Sequence, residues 1–170
     1  MKIFYFILFA FRCKGLDADR EYLLGKEDVE VRYSECLGGG TFGKVYNGTL
    51  KKLNKKVAVK EVAYDPAKFD KIKIDQETAS EIQMLIAFQN HPNIVRFYGY
   101  FDNAENKTYA IVLEYCKGTI DMTLVNKDIA RVFYEIAVAV QYLHARNIQH
   151  CDVKRINETS RYFSRFEWRV

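Results

Sequence analysis

The chain of 170 residues contains only two prolines and nine glycines. Long flexible linkers are rich in such residues, so their scarcity leaves no room for a long disordered linker. The chain has no internal repeat and no low-complexity segment. Hydrophobic residues make up 49% of it and charged residues 28%, which is ordinary for a globular protein with a core. The length fits one domain, or one and a half.

Cysteine is scarce as well, and its spacing excludes two kinds of site. The four cysteines are Cys13, Cys36, Cys116 and Cys151. No two of them have the Cys-x-x-Cys spacing of a metal knuckle, and they do not resemble a disulfide framework. We therefore predict reduced thiols and a cytoplasmic protein, since disulfides are rare in that compartment.

Long apolar runs are also missing. The apolar run at residues 3–11 has nine residues, whereas a membrane-spanning helix needs about 20, so we expect no membrane partner. Its length suits a signal peptide, but no Ala-x-Ala cleavage site follows it. A buried strand, a non-native extension, a signal and an anchor remain alternatives for this run. We predict that residues 1–28 form an N-terminal extension.

Charge of either sign is not concentrated in one block. The net charge is +4, and basic and acidic residues alternate over most of the chain. The only basic cluster consists of Lys51, Lys52, Lys55 and Lys56. A cluster of this size predicts a solvated loop, so we expect no nucleic-acid partner.

The hydrophobic pattern predicts an α+β domain followed by one further helix. Residues 29–62 are rich in β-branched and aromatic side chains with glycine punctuation, which favours strands. Strands are predicted again at 94–101 and 108–116, joined by a polar turn at 102–107. The segment between the two groups of strands, residues 72–89, is predicted to be helical.

Both predicted helices have an apolar face. In the helix at 72–89, Ala79, Ile82 and Ile86 lie on one side at helical spacing. The helix at 127–146 has a longer apolar stripe. Its members are Ile129, Val132, Phe133, Ile136, Ala137, Val140 and Leu143.

A G-x-G-x-x-G pattern is formed by Gly38, Gly40 and Gly43 in LGGGTFGKVY. It indicates a dinucleotide site only where a helix opens at the third glycine, and Val45 and its neighbours favour a strand. Glu61 lies roughly where the acidic residue of such a site would be, but the missing helix outweighs it. We predict that the glycines form the tip of a β-hairpin. Such a tip is either a tight turn or a backbone that lies close over a polyphosphate.

The stretch VAVK, residues 57–60, favours the second of these alternatives. Side chains alternate along a strand, so Ala58 and Lys60 share one face. On that face, a small Ala58 suits a flat adenine and Lys60 can reach phosphates. A lysine on a half-buried strand face also needs a counter-charge. The next predicted helix offers Glu77 and Glu81.

With these two motifs in order, the chain resembles a eukaryotic protein kinase. HPNIVRFYGYF resembles the family's link from its regulatory helix into its fourth strand, and YAIVLEYCKGTI resembles the fifth strand and hinge. YLHARNIQHCDVKRIN resembles the catalytic loop H-R-D-L-K-x-x-N and the helix before it. The resemblance covers residues 29–157. It implies a kinase N-lobe and hinge at 29–116, made of a twisted antiparallel sheet and one helix, and an incomplete helical C-lobe at 117–157.

The resemblance implies ATP and Mg²⁺ as cofactors and a protein as substrate. Val45 and Ala58 would cover the adenine, and the backbones of Glu114 and Cys116 would bond to it. Leu113 would be the gatekeeper beside it. The positions that would contact ATP are Leu37, Gly38, Gly40, Gly43, Val45, Ala58, Lys60, Leu113, Glu114 and Cys116.

The resemblance also assigns the residues of phosphoryl transfer. Lys60 would pair with the α- and β-phosphates and be held by Glu81, which fits the family's spacing better than the other glutamate. Asp152 would accept the proton of the substrate hydroxyl, Lys154 would stabilise the moving phosphoryl group, and Asn157 would hold Mg²⁺. A lysine two residues after Asp152 resembles the serine/threonine kinases, and FGKVYNGTL with VAVK favours their tyrosine-kinase-like group.

The sequence departs from the family in and after the catalytic loop. Cys151 replaces an arginine that gathers a phosphate on the activation loop, which puts that form of control in doubt. After Asn157, the tail ETSRYFSRFEWRV, residues 158–170, contains no Asp-Phe-Gly motif.

The sequence therefore predicts a truncated serine/threonine kinase domain without useful activity. A nucleotide-binding pseudokinase or interaction module, and a non-functional fragment, are the alternatives. The stripe of helix 127–146 would then be a surface for a partner or for self-association.

Overall fold

A computed structural model of the chain describes residues 21–40, 43–64, 76–116, 129–146 and 148. Its strands and helices follow in the order strands, helix, strands, helix, as predicted. They are β1 (Val29–Gly40), β2 (Gly43–Leu50), β3 (Lys55–Ala63), α1 (Gln76–Phe88), β4 (Phe97–Asn103), β5 (Thr108–Glu114) and α2 (Ile129–His144). The strands form one antiparallel sheet in the order β1-β2-β3-β5-β4. This is the predicted α+β architecture of a kinase N-lobe followed by part of a helical C-lobe.

The two faces of the sheet bury different side chains, as the alternation along β3 predicts. Ala58 belongs to an inner cluster, on the face that packs against α1, whereas Val57 and Val59 belong to an outer cluster on the opposite face. The inner cluster consists of Val45, Ala58, Ile82, Val95, Phe97, Tyr100, Ile111 and Leu113. The outer cluster consists of Val29, Leu50, Val57, Val59, Phe101, Ala110 and Val112.

Helix α1 packs on the inner cluster through the predicted face. Ala79 and Ile82 are buried, and Ile86 packs against the same cluster. The backbone N–H of Gln89 donates to the carbonyl of Leu85, which extends the helical pattern one residue past the end of α1. The apolar periodicity therefore predicted the packed face of this helix correctly. Residues 71–75 lie outside the described residues.

Strand β4 begins three residues later than the predicted residue 94. The backbone N–H of Ile94 donates to the carbonyl of His91, so the chain is still in a turn at this point. Pro92 in that turn cannot donate a backbone hydrogen bond to a sheet. The strand then runs to Asn103, two residues beyond the prediction, and the turn to β5 follows at 104–107.

Helix α2 lies within the predicted range and packs against the loop that follows α1. The side chain of Asn93 donates to the carbonyl of Glu135 (3.0 Å), and the ring of Tyr142 lies 4.5 Å from that of His91. Of the predicted stripe, Ile136, Val140 and Leu143 are half-buried and Ala137 is exposed. The side chains of Ile129, Val132 and Phe133 lie outside the description. Neither described helix is long and apolar enough to cross a membrane.

Glu61 has a structural role in the sheet that the sequence did not reveal. The third glycine, Gly43, begins strand β2 and not a helix, which rules out the dinucleotide-site interpretation. Glu61 itself lies in β3 and is buried. The Tyr33 hydroxyl donates to Glu61 Oε1 (2.9 Å), and Asn103 Nδ2 donates to the same oxygen (2.8 Å). Asn103 Nδ2 also donates to the Tyr33 hydroxyl oxygen (2.9 Å). The three side chains therefore join β1, β3 and β4 on one face of the sheet.

We expect Tyr33→Phe to reduce the loss of stability at alkaline pH. Burial raises the pKa of Tyr33 to about 12 from an ordinary 10.0, with a further contribution from the hydrogen bond to Glu61. A raised folded-state pKa stabilises the protein fully below pH 10, and this stabilisation is lost as the pH rises through about 12. Urea unfolding at pH 8 and pH 11 measures the loss for each protein. Equal losses in both proteins would contradict the assignment.

Candidate functional site

The predicted glycine hairpin is present at the junction of β1 and β2. Gly40 pairs with Gly43 at its end, and Gly38 pairs with Val45. Gly43 has a φ of 122°, a backbone conformation that residues with a side chain rarely adopt. A Cβ atom at this position would lie 2.1 Å from the carbonyl oxygen of Glu61. The third glycine of the motif is thus required by the close approach of β2 to β3.

The hairpin lies beside a buried ion pair between Lys60 and Glu81. Lys60 lies in β3, opposite Val45 of β2 on one side and Ile111 of β5 on the other. Its ammonium is 2.6 Å from Glu81 Oε1 and 2.8 Å from Oε2. The side chains are only 11% and 14% exposed. The strand and the helix predicted to bring these two charges together do so.

Apolar side chains predicted to contact a nucleotide base lie in one region of the sheet. Val45, Ala58 and Leu113 all belong to the inner cluster, and Leu37 packs against it. They come from four places in the chain, and the antiparallel register brings them together. Ala58 lies opposite Leu113 across β3 and β5. The arrangement provides an apolar surface on the same face as the Lys60–Glu81 pair.

The predicted hinge residues follow directly from β5. The backbone N–H of Glu114, the last residue of β5, donates to the carbonyl of Arg96 (2.9 Å). Cys116 is a half-buried cysteine two residues further on. The hinge backbone therefore begins at the edge of the apolar surface, beside Leu113.

The residues predicted for the catalytic loop, Asp152, Lys154 and Asn157, lie outside the described residues. So do the unrelated tail at 158–170 and the apolar run at 3–11. Within the described part of the chain, no group of three or more His, Cys, Asp or Glu side chains could hold a metal ion. The predicted Mg²⁺ ligand, Asn157, belongs to the catalytic loop, so its place is not described either.

One segment that packs beside this region was not predicted from the sequence. Residues 21–24 lie along β4, and Tyr22 packs against the inner cluster. The only signal in the sequence is the short apolar stretch Tyr22-Leu23-Leu24, which does not indicate a partner. The prediction placed it in the N-terminal extension.

Known proteins resemble this chain over most of its length. A sequence model of the protein kinase domain matches residues 31–158. The chain is 36% identical to myosin-IIIa of Homo sapiens in an alignment of 138 residues that covers 73% of this chain and 8% of that protein. It is 32% identical to the serine/threonine-protein kinase RUNKEL of Arabidopsis thaliana, covering 72% of this chain and 9% of that protein. With CBL-interacting serine/threonine-protein kinase 2 of Arabidopsis thaliana, it shares 33% identity over 71% of this chain and 27% of the relative.

The chain therefore spans less than a third of the length of each of these relatives. The matched region begins within β1 and ends just after the predicted catalytic loop. It includes the glycine hairpin, the Lys60–Glu81 pair and the hinge. Since the match extends over most of the sequence, this chain belongs to the protein kinase domain family.

Proposed function

We propose that this chain binds ATP between its glycine hairpin and the Lys60–Glu81 pair. We further propose that its domain is that of a protein serine/threonine kinase, which transfers the γ-phosphate of ATP to a protein hydroxyl. The observation that supports this most strongly is the pairing of Lys60 with Glu81 at 2.6 and 2.8 Å beside the hairpin. In this family, that pair holds a lysine at the phosphates of ATP.

The site has the chemistry that a nucleoside triphosphate needs. The Lys60 ammonium is oriented by two carboxylate contacts, so little conformational entropy would be lost when it meets an anionic phosphate. Glycines in the hairpin would let backbone N–H groups approach phosphate oxygens closely. Val45, Ala58 and Leu113 would provide the apolar contact for adenine, and the backbones of Glu114 and Cys116 would supply its hydrogen bonds. Leu37 would close the surface from β1.

The catalytic roles rest on the sequence motif. Asp152 would accept the proton of the substrate hydroxyl, and Lys154 would stabilise the transferred phosphoryl group. Asn157 would hold Mg²⁺, which neutralises charge on the phosphates when it is bound. A lysine two residues after Asp152, and the similarity to two serine/threonine-protein kinases of Arabidopsis thaliana, support serine or threonine as the acceptor. The predicted cytoplasmic location suits a kinase in which Cys36 and Cys116 are not in disulfides.

The 170-residue polypeptide by itself is expected to bind ATP without transferring phosphate at a useful rate. The 13 residues after Asn157 contain no Asp-Phe-Gly, so the aspartate that binds Mg²⁺ in this family has no counterpart there. Phosphoryl transfer depends on positioning and on charge neutralisation by metal. Binding without turnover would be the behaviour of a pseudokinase, so the missing motif favours that alternative for these 170 residues taken alone.

The test is to measure binding and transfer separately on the 170-residue chain. Binding of a fluorescent ATP analogue is titrated with and without Mg²⁺, and transfer is measured with radiolabelled ATP and a mixed-protein substrate. We expect measurable binding that Lys60→Met weakens at least about tenfold, and no transfer above that of Lys60→Met. Robust transfer that Lys60→Met abolishes would show that the polypeptide is a working kinase. Binding that is undetectable, or unaffected by Lys60→Met, would overturn the proposed nucleotide site.

A further inference from the structure

Residues 21–24 form a short strap along the edge of strand β4 that faces away from β5. Leu23 bridges to Tyr100 in parallel orientation, and the backbone N–H of Leu24 donates to the carbonyl of Tyr100 (2.9 Å). β4 is an edge strand of the five-stranded sheet, so its outer backbone groups need partners. The strap supplies such a partner beside helix α1.

Gly99 leaves room for the strap. Its φ is 151°, and the register of β4 against β5 shifts between Phe97 and Gly99. A Cβ atom on Gly99 would lie 2.6 Å from the backbone carbonyl oxygen of Tyr22 and 2.7 Å from Leu24 Cγ. The strap can therefore lie this close to β4 only where β4 has no side chain.

Tyr22 connects the strap to both the sheet and helix α1. Its ring lies 5.3 Å from that of Phe97 in β4, and it packs against the inner cluster. Its hydroxyl oxygen accepts a hydrogen bond from Gln89 Nε2 (2.9 Å). Gln89 directly follows the last residue of α1. Leu85 and Ile86, in the last turns of α1, pack against the same cluster as Tyr22.

The strap is tied to β1 by a short turn. Gly25 donates its backbone N–H to Asp28 Oδ2 (2.8 Å), and the N–H of Asp28 donates to the Gly25 carbonyl (3.0 Å). β1 begins at the next residue, Val29. The position of Tyr22 is therefore fixed relative to the sheet by bonds at both ends of this segment.

We propose that Tyr22 is a positioning residue for the Lys60–Glu81 pair: it holds the C-terminal end of α1 against the sheet and so sets the place of Glu81. Glu81 precedes Gln89 by eight residues, about 12 Å along a rigid helix, so a shift at one end moves the other. Ile82, next to Glu81, packs in the cluster that Tyr22 contacts. This inference rests on the proposed nucleotide site for its functional consequence, but the contact itself can be tested without nucleotide.

The first experiment measures hydrogen exchange of the 170-residue chain and of Tyr22→Ala without nucleotide. We expect amides of α1 and β4 to exchange about tenfold faster in the variant, while those of β1 to β3 change less than twofold. Tyr134→Ala is the matched control, since Tyr134 is an exposed tyrosine on α2 and should leave α1 unchanged. A uniform increase across the sheet, or no change in α1, would overturn the proposal.

A gentler variant covers the case in which Tyr22→Ala does not fold. Gln89→Met removes the hydrogen bond from the helix side while keeping the side chain's length. It should speed exchange in α1 about threefold and leave β1 to β3 unchanged. If neither Gln89→Met nor Tyr22→Ala changes the rate of amide exchange in α1, Tyr22 does not position this helix.

The second experiment asks whether Tyr22 acts through Glu81. Affinity for the fluorescent ATP analogue is measured for Tyr22→Ala, Glu81→Gln and the double variant. We expect Tyr22→Ala to weaken binding about fivefold when Glu81 is present and by less than twofold when it is Gln. Equal weakening in both backgrounds would indicate a merely structural role and sink the proposal. A chain that binds no nucleotide at all would refute the proposed function instead, and the exchange result would then decide the role of Tyr22 alone.

Discussion

Lys60→Met is expected to lower the free energy of unfolding by about 3 kcal/mol, because it leaves the carboxylate of Glu81 largely buried without its cation. Both side chains of the pair are less than one-sixth exposed, so water can replace little of the lost contact. Within the described residues, Lys60 is the hydrogen-bonding partner of Glu81. Urea unfolding of the two proteins at neutral pH measures the difference.

A double variant separates the energy of the pair from the cost of breaking it. Lys60→Met with Glu81→Leu removes both charges and keeps apolar volume at the contact between β3 and α1. We expect it to recover most of the stability lost in Lys60→Met, since buried ion pairs are often no more stable than well-packed apolar replacements. The double variant should nevertheless fail to bind ATP. If its stability loss equals the sum of the two single losses, the charges are not coupled and the geometric pairing has no energetic weight.

Gly43→Ala is expected to lower the free energy of unfolding by at least about 3 kcal/mol. A φ of 122° at a residue with a side chain costs about 1–3 kcal/mol. The new methyl group would also overlap a backbone oxygen of β3, at Glu61, which cannot move without distorting the central strand. The glycine hairpin would open, so the affinity for an ATP analogue should fall as well.

Gly39→Ala is the matched control within the same motif. The atoms nearest to a Cβ atom there would be Lys44 Cγ at 3.4 Å, the carbonyl oxygen of Gly43 at 3.7 Å and Lys44 Cα at 3.9 Å. Since the lysine side chain can move, we expect a change in stability of less than about 0.5 kcal/mol. Thermal or urea unfolding of both variants tests the contrast. Similar losses in Gly39→Ala and Gly43→Ala would show that the close approach of β2 to β3 is not what selects glycine.

Local patterns determined the elements of this fold. Alternation along β3 placed Ala58 and Lys60 on one face, and helical periodicity gave α1 its buried face through Ile82. The strand signal after Gly43 excluded a dinucleotide fold, which requires a helix there. These predictions succeed because side-chain direction in strands and helices has a fixed period that depends only on residue order. The start of β4 was misplaced, because apolar residues before it belong to a turn that contains Pro92.

The sequence by itself determined that this chain has a glycine hairpin, a lysine on the adjacent strand and an acidic helix, and these motifs indicated its family. Only the tertiary structure decided which atoms meet. The network that Glu61 forms with Tyr33 and Asn103, and the docking of Tyr22 beside Gln89, each join residues more than 20 positions apart. Such contacts depend on the register and packing of separate elements, which no short stretch of sequence specifies.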